Sequence, residues 1–136
     1  MIKLTRKQID EIFVHARREL PNECCGLLGG RNCSVNSVYK LKNAAAAPLV
    51  EYEVAPEDLF RVHKQMRESG ENLIGIYHSH PRAHDPFPSQ TDIERAFYSE
   101  ASYFIVGFHQ NTPVLRAFKI YENERRWEQA EFVVIE

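Results

Sequence analysis

Apolar residues recur at helical spacing near the start of the chain. Thr5 stands before this stretch and Gln8 follows three residues later, a pairing typical of a capped helix start. The stripe consists of Ile9, Ile12, Phe13, Ala16 and Leu20. The pattern predicts a helix over 5–20 that Pro21 ends, with its stripe facing a core. His15 lies off the stripe, so we expect its side chain to be solvated.

A second helix is predicted from Pro56 to Gly70. Proline suits the first helical turn, and the acidic residues Glu57 and Asp58 complement the positive end of the helix dipole. Glycine commonly ends helices. His63 falls within this helix, and we expect it at the surface or the boundary. A third helix is predicted over about 89–99.

Short apolar or alternating runs predict the strands of a sheet. Residues 22–30 form one strand closed by a Gly-Gly turn, and the continuous apolar run 73–78 is typical of a central strand buried on both faces. Further strands are predicted at 34–41, 51–54, 103–108, 114–121 and 132–135. Because hairpins alternate with helices without regular βαβ repeats, we predict an α+β fold, with a mixed, largely antiparallel sheet packed against about three helices.

Composition narrows the class of protein. The 136 residues suit one domain, 1–136, and the 43% hydrophobic and 26% charged content is ordinary for a globular protein. A formal charge of −2 gives no positively charged surface to attract nucleic acid, so we expect no nucleic-acid partner.

There is no apolar run of the ~18–20 residues that a membrane span needs, nor the apolar core of a secretory signal, so we expect the protein in the cytoplasm. The odd set Cys24, Cys25 and Cys33 predicts small buried apolar residues rather than disulfides.

Two histidines at the end of the central strand suggest a metal site. His78 and His80 are two positions apart, so on a strand they share a face with Cα atoms roughly 6.6 Å apart. Ring nitrogens about 2.0–2.1 Å from a Zn²⁺ ion can close that gap, and Asp92 is the natural third ligand. A His₂-carboxylate set leaves one position open, as catalytic zinc requires, and such zinc lowers the pKa of its water to around 7.

Two more residues offer the chemistry of a hydrolase. Glu23 begins a strand and is a suitable base, although spacing alone does not place it near the histidines. Ser89 precedes a helix, where its hydroxyl can donate to a developing oxyanion. Each feature alone has a simpler interpretation, because Ser89 and Asp92 form a helix capping box, an isolated His-x-His pair is usually structural, and a single glutamate is usually solvated. Only the combination favours a metal site.

That combination resembles a known family. Glu23, His78-Ser79-His80-Pro81, Ser89 and Asp92 together look like the signature of the JAMM (MPN-type) zinc metallopeptidases. Residues 22–29 also resemble the segment around the catalytic glutamate in small stand-alone prokaryotic members. The resemblance implies a cytidine-deaminase-like MPN architecture. It also implies that Glu23 is the general acid/base, that His78, His80 and Asp92 bind Zn²⁺, and that Ser89 steadies the oxyanion.

The chain departs from the family pattern at one place. Eight residues separate His80 from Ser89, where the family usually has seven. We expect the extra residue to bulge within this proline-rich loop and leave the ligands in place. We also expect His84 and Asp85 to be solvent-exposed loop residues.

The resemblance also implies a substrate class. Family members cleave peptide or isopeptide bonds after the Gly-Gly tail of ubiquitin or ubiquitin-like proteins, and prokaryotic relatives act on ThiS/MoaD-type sulfur carriers. Such a tail can pair with a strand edge, and we expect residues 46–54 to provide that edge.

Two alternatives stay open, namely a non-catalytic scaffold that binds a ubiquitin-like partner and a zinc hydrolase of small amides. A nucleobase deaminase is disfavoured, since the chain has no His-x-Glu followed by Pro-Cys-x-x-Cys.

Overall fold

One mixed sheet runs through the computed structural model, which describes residues 1–136. Its eight strands are β1 (Ile2–Thr5), β2 (Cys25–Arg31), β3 (Ser34–Leu41), β4 (Asn72–Ser79), β5 (Ser102–His109), β6 (Thr112–Tyr121), β7 (Arg126–Ala130) and β8 (Phe132–Ile135). They are ordered β7-β6-β5-β4-β2-β3-β1-β8. Strand β1 pairs in parallel with β3 and β8, β4 pairs in parallel with β5, and the other neighbours are antiparallel. The predicted α+β fold with a largely antiparallel sheet is confirmed.

Three α-helices accompany the sheet: α1 (Arg6–Glu19), α2 (Pro56–Glu68) and α3 (Gln90–Glu94). The predicted cap of α1 is present, because the Thr5 hydroxyl accepts the Gln8 N–H while the Gln8 side chain accepts the Thr5 N–H. Pro56 opens α2 as predicted. The prediction for the third helix was too long, since α3 ends at Glu94. None of these helices combines the length and the apolar character that a membrane crossing requires.

The helices cover the two faces of the sheet separately. Helix α1 packs its residues Ile9, Ile12 and Ala16 on one face, against a cluster that includes Tyr77 and Phe104. The other face carries a second cluster, to which α2 and α3 both contribute. Its buried members include Cys25, Leu27, Ile76, Ile105, Val62, Met66 and Ile93. Because side chains alternate along a strand, His78 shares the α2/α3 face with Ile76, opposite to Tyr77.

Several local predictions were wrong. Residues 51–54 form no strand, and Gly29 and Gly30 lie inside β2 at a register shift. The turn is made instead by Asn32 and Cys33, both with positive φ. Strands β1 and β7 were not predicted. All three cysteines are free, and Cys24 and Cys25 are buried as expected, but Cys33 is exposed in this turn.

His15 is buried, contrary to the expectation from the sequence. Only 8% of its surface is exposed, and its Nδ1 lies 2.7 Å from the hydroxyl oxygen of Tyr77. Leu20, which the pattern placed on the buried stripe, is exposed instead. The buried face of α1 therefore includes His15 rather than Leu20, because the Tyr77 hydroxyl on β4 provides the His15 imidazole with a hydrogen-bond partner.

The His15 contact makes stability depend on pH. Burial lowers the pKa of His15 below 6.5, outweighing the nearby Glu19 and reinforced by Lys40 and Arg18. His15 therefore binds a proton more readily in the unfolded chain than in the folded one. The stability that neutral His15 contributes is complete above about pH 6.5 and is lost as the pH falls. We expect the free energy of unfolding to drop more steeply between pH 7.5 and 5 in the wild type than in His15→Gln. Equal slopes in urea denaturation series would contradict this assignment.

Candidate metal centre

The pairing of β2 with β4 brings Glu23 to the histidines. In this antiparallel ladder Cys25 lies opposite His78 and Gly26 opposite Tyr77. Continuing the register two residues beyond Cys25 puts Glu23 opposite His80 and on the face that carries His78. The junction is fastened by Ser79, whose hydroxyl oxygen accepts the Cys24 N–H at 2.8 Å. Residues more than fifty positions apart in sequence therefore become neighbours.

Three donor atoms meet at the end of β4. The Nε2 atoms of His78 and His80 are 3.1 Å apart. Asp92 Oδ2 lies 3.1 Å from the first and 3.0 Å from the second. His78 is fully buried and Asp92 is only 8% exposed. The structure thus places the three residues predicted as zinc ligands side by side.

The helix cap of α3 and the donor cluster share one oxygen atom. Asp92 Oδ2 accepts the Ser89 N–H at 2.9 Å, and the Asp92 N–H donates to the Ser89 hydroxyl oxygen at 3.1 Å. This is the capping box that the sequence indicated. The cap fixes Asp92 so that Oδ2 faces both imidazoles, and it leaves the hydroxyl hydrogen of Ser89 free to donate.

The donor set fits a zinc ion. A tetrahedron with bonds of about 2.0–2.1 Å has edges of about 3.3 Å, close to the 3.0–3.1 Å between the three donor atoms. The donor atoms of Glu23, His78 and His80 form a second candidate triad, within 4.8 Å of one another. We favour the triad with Asp92, because Asp92 contacts both imidazoles directly whereas Glu23 hydrogen-bonds to neither.

Glu23 is a buried carboxyl group beside this cluster. Only 5% of its surface is exposed. Burial, followed by the nearby carboxylates of Asp92 and Glu51, raises the pKa of Glu23 to about 8. Burial would also raise the pKa of Asp92, but attraction to His78 and contacts with both imidazoles outweigh it and hold that pKa low. When two neighbouring carboxyl groups have pKa values shifted in opposite directions, the two groups typically have different chemical roles.

A single asparagine fastens the segment that covers the site. The Asn43 amide group donates to the carbonyl oxygens of Glu23 and Glu51 at 2.9 and 3.0 Å. Its side-chain oxygen accepts the N–H groups of Ala45 and Glu53 at 3.0 and 3.1 Å. Residues 46–54 are therefore an anchored irregular loop, and the expectation of a strand edge there was wrong.

Sequence reasoning missed Tyr52, which lies in this loop. Its ring stacks on His78 with centroids 4.6 Å apart and an interplanar angle of 28°. His78 Nδ1 is buried without a hydrogen-bond partner, so packing against Tyr52 holds this imidazole where a hydrogen bond usually does. The sequence offered no signal for this contact beyond an aromatic residue in an alternating stretch.

The proline-rich loop 81–88 lies against β5 and β6. The Phe108 N–H donates to the Ala83 carbonyl oxygen at 2.7 Å, and a Cβ at Gly107 would lie 2.4 Å from that same oxygen. Only glycine permits this close approach. Asp85 pairs with Arg116 at 2.9 Å, and both Asp85 and His84 are exposed, as expected. The longer loop therefore packs without disturbing the donor cluster.

Comparisons with known proteins agree with this geometry. The pattern of the family described as prokaryotic homologs of the JAB domain matches residues 5–121. A desampylase of Haloferax volcanii is 38% identical over 102 residues, covering 71% of this chain and 73% of the relative. A probable TtuB-protein conjugate cleaving protease of Thermus thermophilus is 34% identical, covering 91% and 79%. The CysO-cysteine peptidase of Mycobacterium tuberculosis is 30% identical, covering 84% and 79%.

Solved structures show the same fold. A solution structure of a Desulfitobacterium hafniense protein superposes with a TM-score of 0.86 at 36% identity, covering 100% of this chain and 94% of that one. A JAB1/MPN-domain protein from Archaeoglobus fulgidus gives a TM-score of 0.63 at 20% identity, covering 99% and 100%. At that identity the second likeness concerns the fold alone.

The two candidate triads predict different effects of zinc on stability. If Asp92 is a ligand, Asp92→Asn should lose most of the stabilisation by zinc, whereas Glu23→Gln should keep it. A ligand at 100 times its Kd stabilises the folded state by about 2.7 kcal/mol. The measurement is the free energy of unfolding of each variant with zinc and with a chelator. Loss of the effect in Glu23→Gln with retention in Asp92→Asn would assign the ion to the Glu23 triad.

Proposed function

Because this chain belongs to the prokaryotic JAB-domain family of JAMM-type peptidases, we propose that it hydrolyses the bond that follows the Gly-Gly tail of a ubiquitin-like or sulfur-carrier protein. The relatives named as desampylase, TtuB-protein conjugate cleaving protease and CysO-cysteine peptidase support this substrate class. The bond is a peptide or isopeptide bond, and the reaction consumes one water molecule.

One observation carries the proposal. His78, His80 and Asp92 present three donor atoms within 3.1 Å of one another, and the free carboxyl of Glu23 lies beside them. Three ligands and an adjacent carboxyl are the donor chemistry of a catalytic zinc rather than a structural one. Bound there, Zn²⁺ would polarise the scissile carbonyl and make water more acidic.

Glu23 acts as the general acid/base in this proposal. Its carboxylate takes a proton from the attacking water and then delivers it to the nitrogen of the leaving amine, so no proton is gained or lost. The pKa of Glu23, raised to about 8, lies close enough to neutral pH for this group both to accept and to donate a proton. The hydrogen bond from Asn43 to the Glu23 carbonyl oxygen keeps the backbone of this residue in place.

The Ser89 hydroxyl and the substrate's Gly-Gly tail also fit this reaction. The Ser89 hydroxyl accepts from Asp92, so its own hydrogen is available for the oxyanion that develops on the attacked carbonyl. A Gly-Gly tail has no side chains to collide with the buried cluster. We propose that the enzyme acts in the cytoplasm, where free thiols such as those of Cys24 and Cys25 persist.

The role of Glu23 is tested by Glu23→Gln on a ubiquitin-like carrier with a peptide or lysine-linked extension after Gly-Gly. General acid/base catalysis is worth about 10²–10⁴-fold, so we expect turnover to fall by that factor while the zinc content, measured by atomic absorption, is unchanged. Glu57→Gln, at an exposed position of α2, is the matched control.

The same assay separates the alternatives. Wild-type turnover that a chelator abolishes and zinc restores supports the peptidase. A carrier that binds without being cleaved would indicate the scaffold, and cleavage of short unrelated amides would indicate the small-amide hydrolase. Undiminished turnover in Glu23→Gln would remove Glu23 from its role.

Ser89→Gly separates the catalytic role of the hydroxyl from its role in the helix cap. Glycine at an N-cap costs only a few tenths of a kcal/mol, whereas losing an oxyanion donor costs about 2.7–4 kcal/mol of transition-state stabilisation. We therefore expect kcat to fall by about 10²–10³-fold with little change in the urea midpoint. A fall in kcat no larger than the change in stability explains would leave Ser89 as a cap only.

A further inference from the structure

A cavity of about 370 Å³ lies on the site face of the sheet, between α2 and the segment that follows α3. Its floor is formed by Leu27, Ile76 and Tyr103, and its walls by residues of α2, the 46–54 loop and the segment after α3. Most of the lining residues are hydrophobic, with Glu53 and Arg95 as the charged exceptions. The volume is near the lower limit of about 300–1,000 Å³ for ligand sites, so it suits one bulky side chain and its flanking backbone.

The cavity adjoins the donor cluster, and the Tyr52 ring lies between them. The same tyrosine ring stacks on His78 and lines the cavity. On the floor, Ile76 precedes His78 by two residues on the same face, which corresponds to roughly 6.6 Å along β4. An extended peptide covers that distance in two residues. A tail that runs along β4 toward Ile76, with its Gly-Gly carbonyl at the cluster, brings its third residue back from the scissile bond over the cavity.

The walls are preformed and still leave apolar surface in water. The Tyr103 hydroxyl oxygen accepts the Tyr98 N–H at 3.3 Å, and the Tyr98 ring stacks on His63 with centroids 6.0 Å apart. Phe97 lines the cavity while remaining 70% exposed. A large exposed aromatic beside a fixed apolar cavity is a feature of binding sites. Another depression of similar volume, lined by Arg6, Asp10 and Arg17, lies at α1 on the opposite face.

We propose that this cavity is a specificity pocket for the residue immediately before the Gly-Gly pair of the cleaved tail, and that it selects an apolar side chain there. The inference rests on the proposed function. The occupant belongs to the carrier rather than to a second copy of this chain, because the cavity adjoins the cluster that receives the carrier's tail.

The test uses acetyl-X-Gly-Gly peptides joined to a fluorogenic amine, with X as Leu, Ala or Glu, and the zinc-loaded enzyme. A pocket that buries extra methylenes discriminates by about 10–200-fold, so we expect kcat/KM for Leu to exceed that for Ala by at least about tenfold, and Glu to be poorest. Leu59 is the α2 residue in the cavity wall, so Leu59→Trp fills the cavity and should bring the Leu/Ala ratio close to one. Phe60→Trp, on the same helix but outside the cavity and with Phe60 68% exposed, should leave it unchanged.

A binding measurement keeps the two proposals separate. Titration of the product peptide acetyl-Leu-Gly-Gly should shift the methyl NMR signals of Leu27, Leu59 and Ile76, and the Ala peptide should shift them far less at the same concentration. Cleavage of all tails with equal kcat/KM would overturn the pocket and leave the proposed function intact. Absence of cleavage of every tail and every carrier would contradict the proposed function, and unmoved methyl signals would overturn the pocket whatever the activity.

Discussion

The site depends on the register between β2 and β4. Backbone pairing sets Cys25 opposite His78, and everything else about the position of Glu23 follows from it. A slip of one residue would turn Glu23 and both histidines to opposite faces of the sheet. The register is held by buried apolar pairs along the strands and by the Ser79 hydroxyl at the end where the site lies. The contacts that stabilise the core therefore also assemble the site.

The second constraint is the capping box that starts α3. Asp92 places one carboxylate oxygen at the helix N-terminus and between two imidazoles, so the energy that caps the helix also orients the proposed ligand. A buried carboxylate is costly without hydrogen-bonding partners. Without a metal ion, the imidazoles themselves stabilise Asp92. The site is thus preorganised by the short-range contacts that stabilise this part of the chain.

Local patterns predicted the elements whose stability is local. The capping pair Thr5 and Gln8 marked α1, Pro56 marked α2, and the alternation of 34–41 marked β3. Strand β1 was missed because its four residues are stabilised by parallel pairing with β8 at the far end of the chain. Strand β7 is largely polar and exposed, so it carries no hydrophobic period. The burial of His15 depends on a tyrosine 62 residues away, which no local pattern contains.

The same distinction holds at the site. The spacing of His78 and His80 and the capping box of Asp92 could be predicted, because each is a short-range feature of one element. The nearness of Glu23 was implied only by the family resemblance, and the stacking of Tyr52 and the four hydrogen bonds of Asn43 were not predicted, since each depends on the packing of separate segments. The central claim is that His78, His80 and Asp92 bind the ion while Glu23 stays free. Its most direct test is a crystal structure of the zinc-loaded protein with anomalous data at the zinc edge. We predict a peak about 2.0–2.1 Å from both Nε2 atoms and from an Asp92 carboxylate oxygen, and a peak bound by Glu23 without Asp92, or no peak between the imidazoles, would contradict the claim.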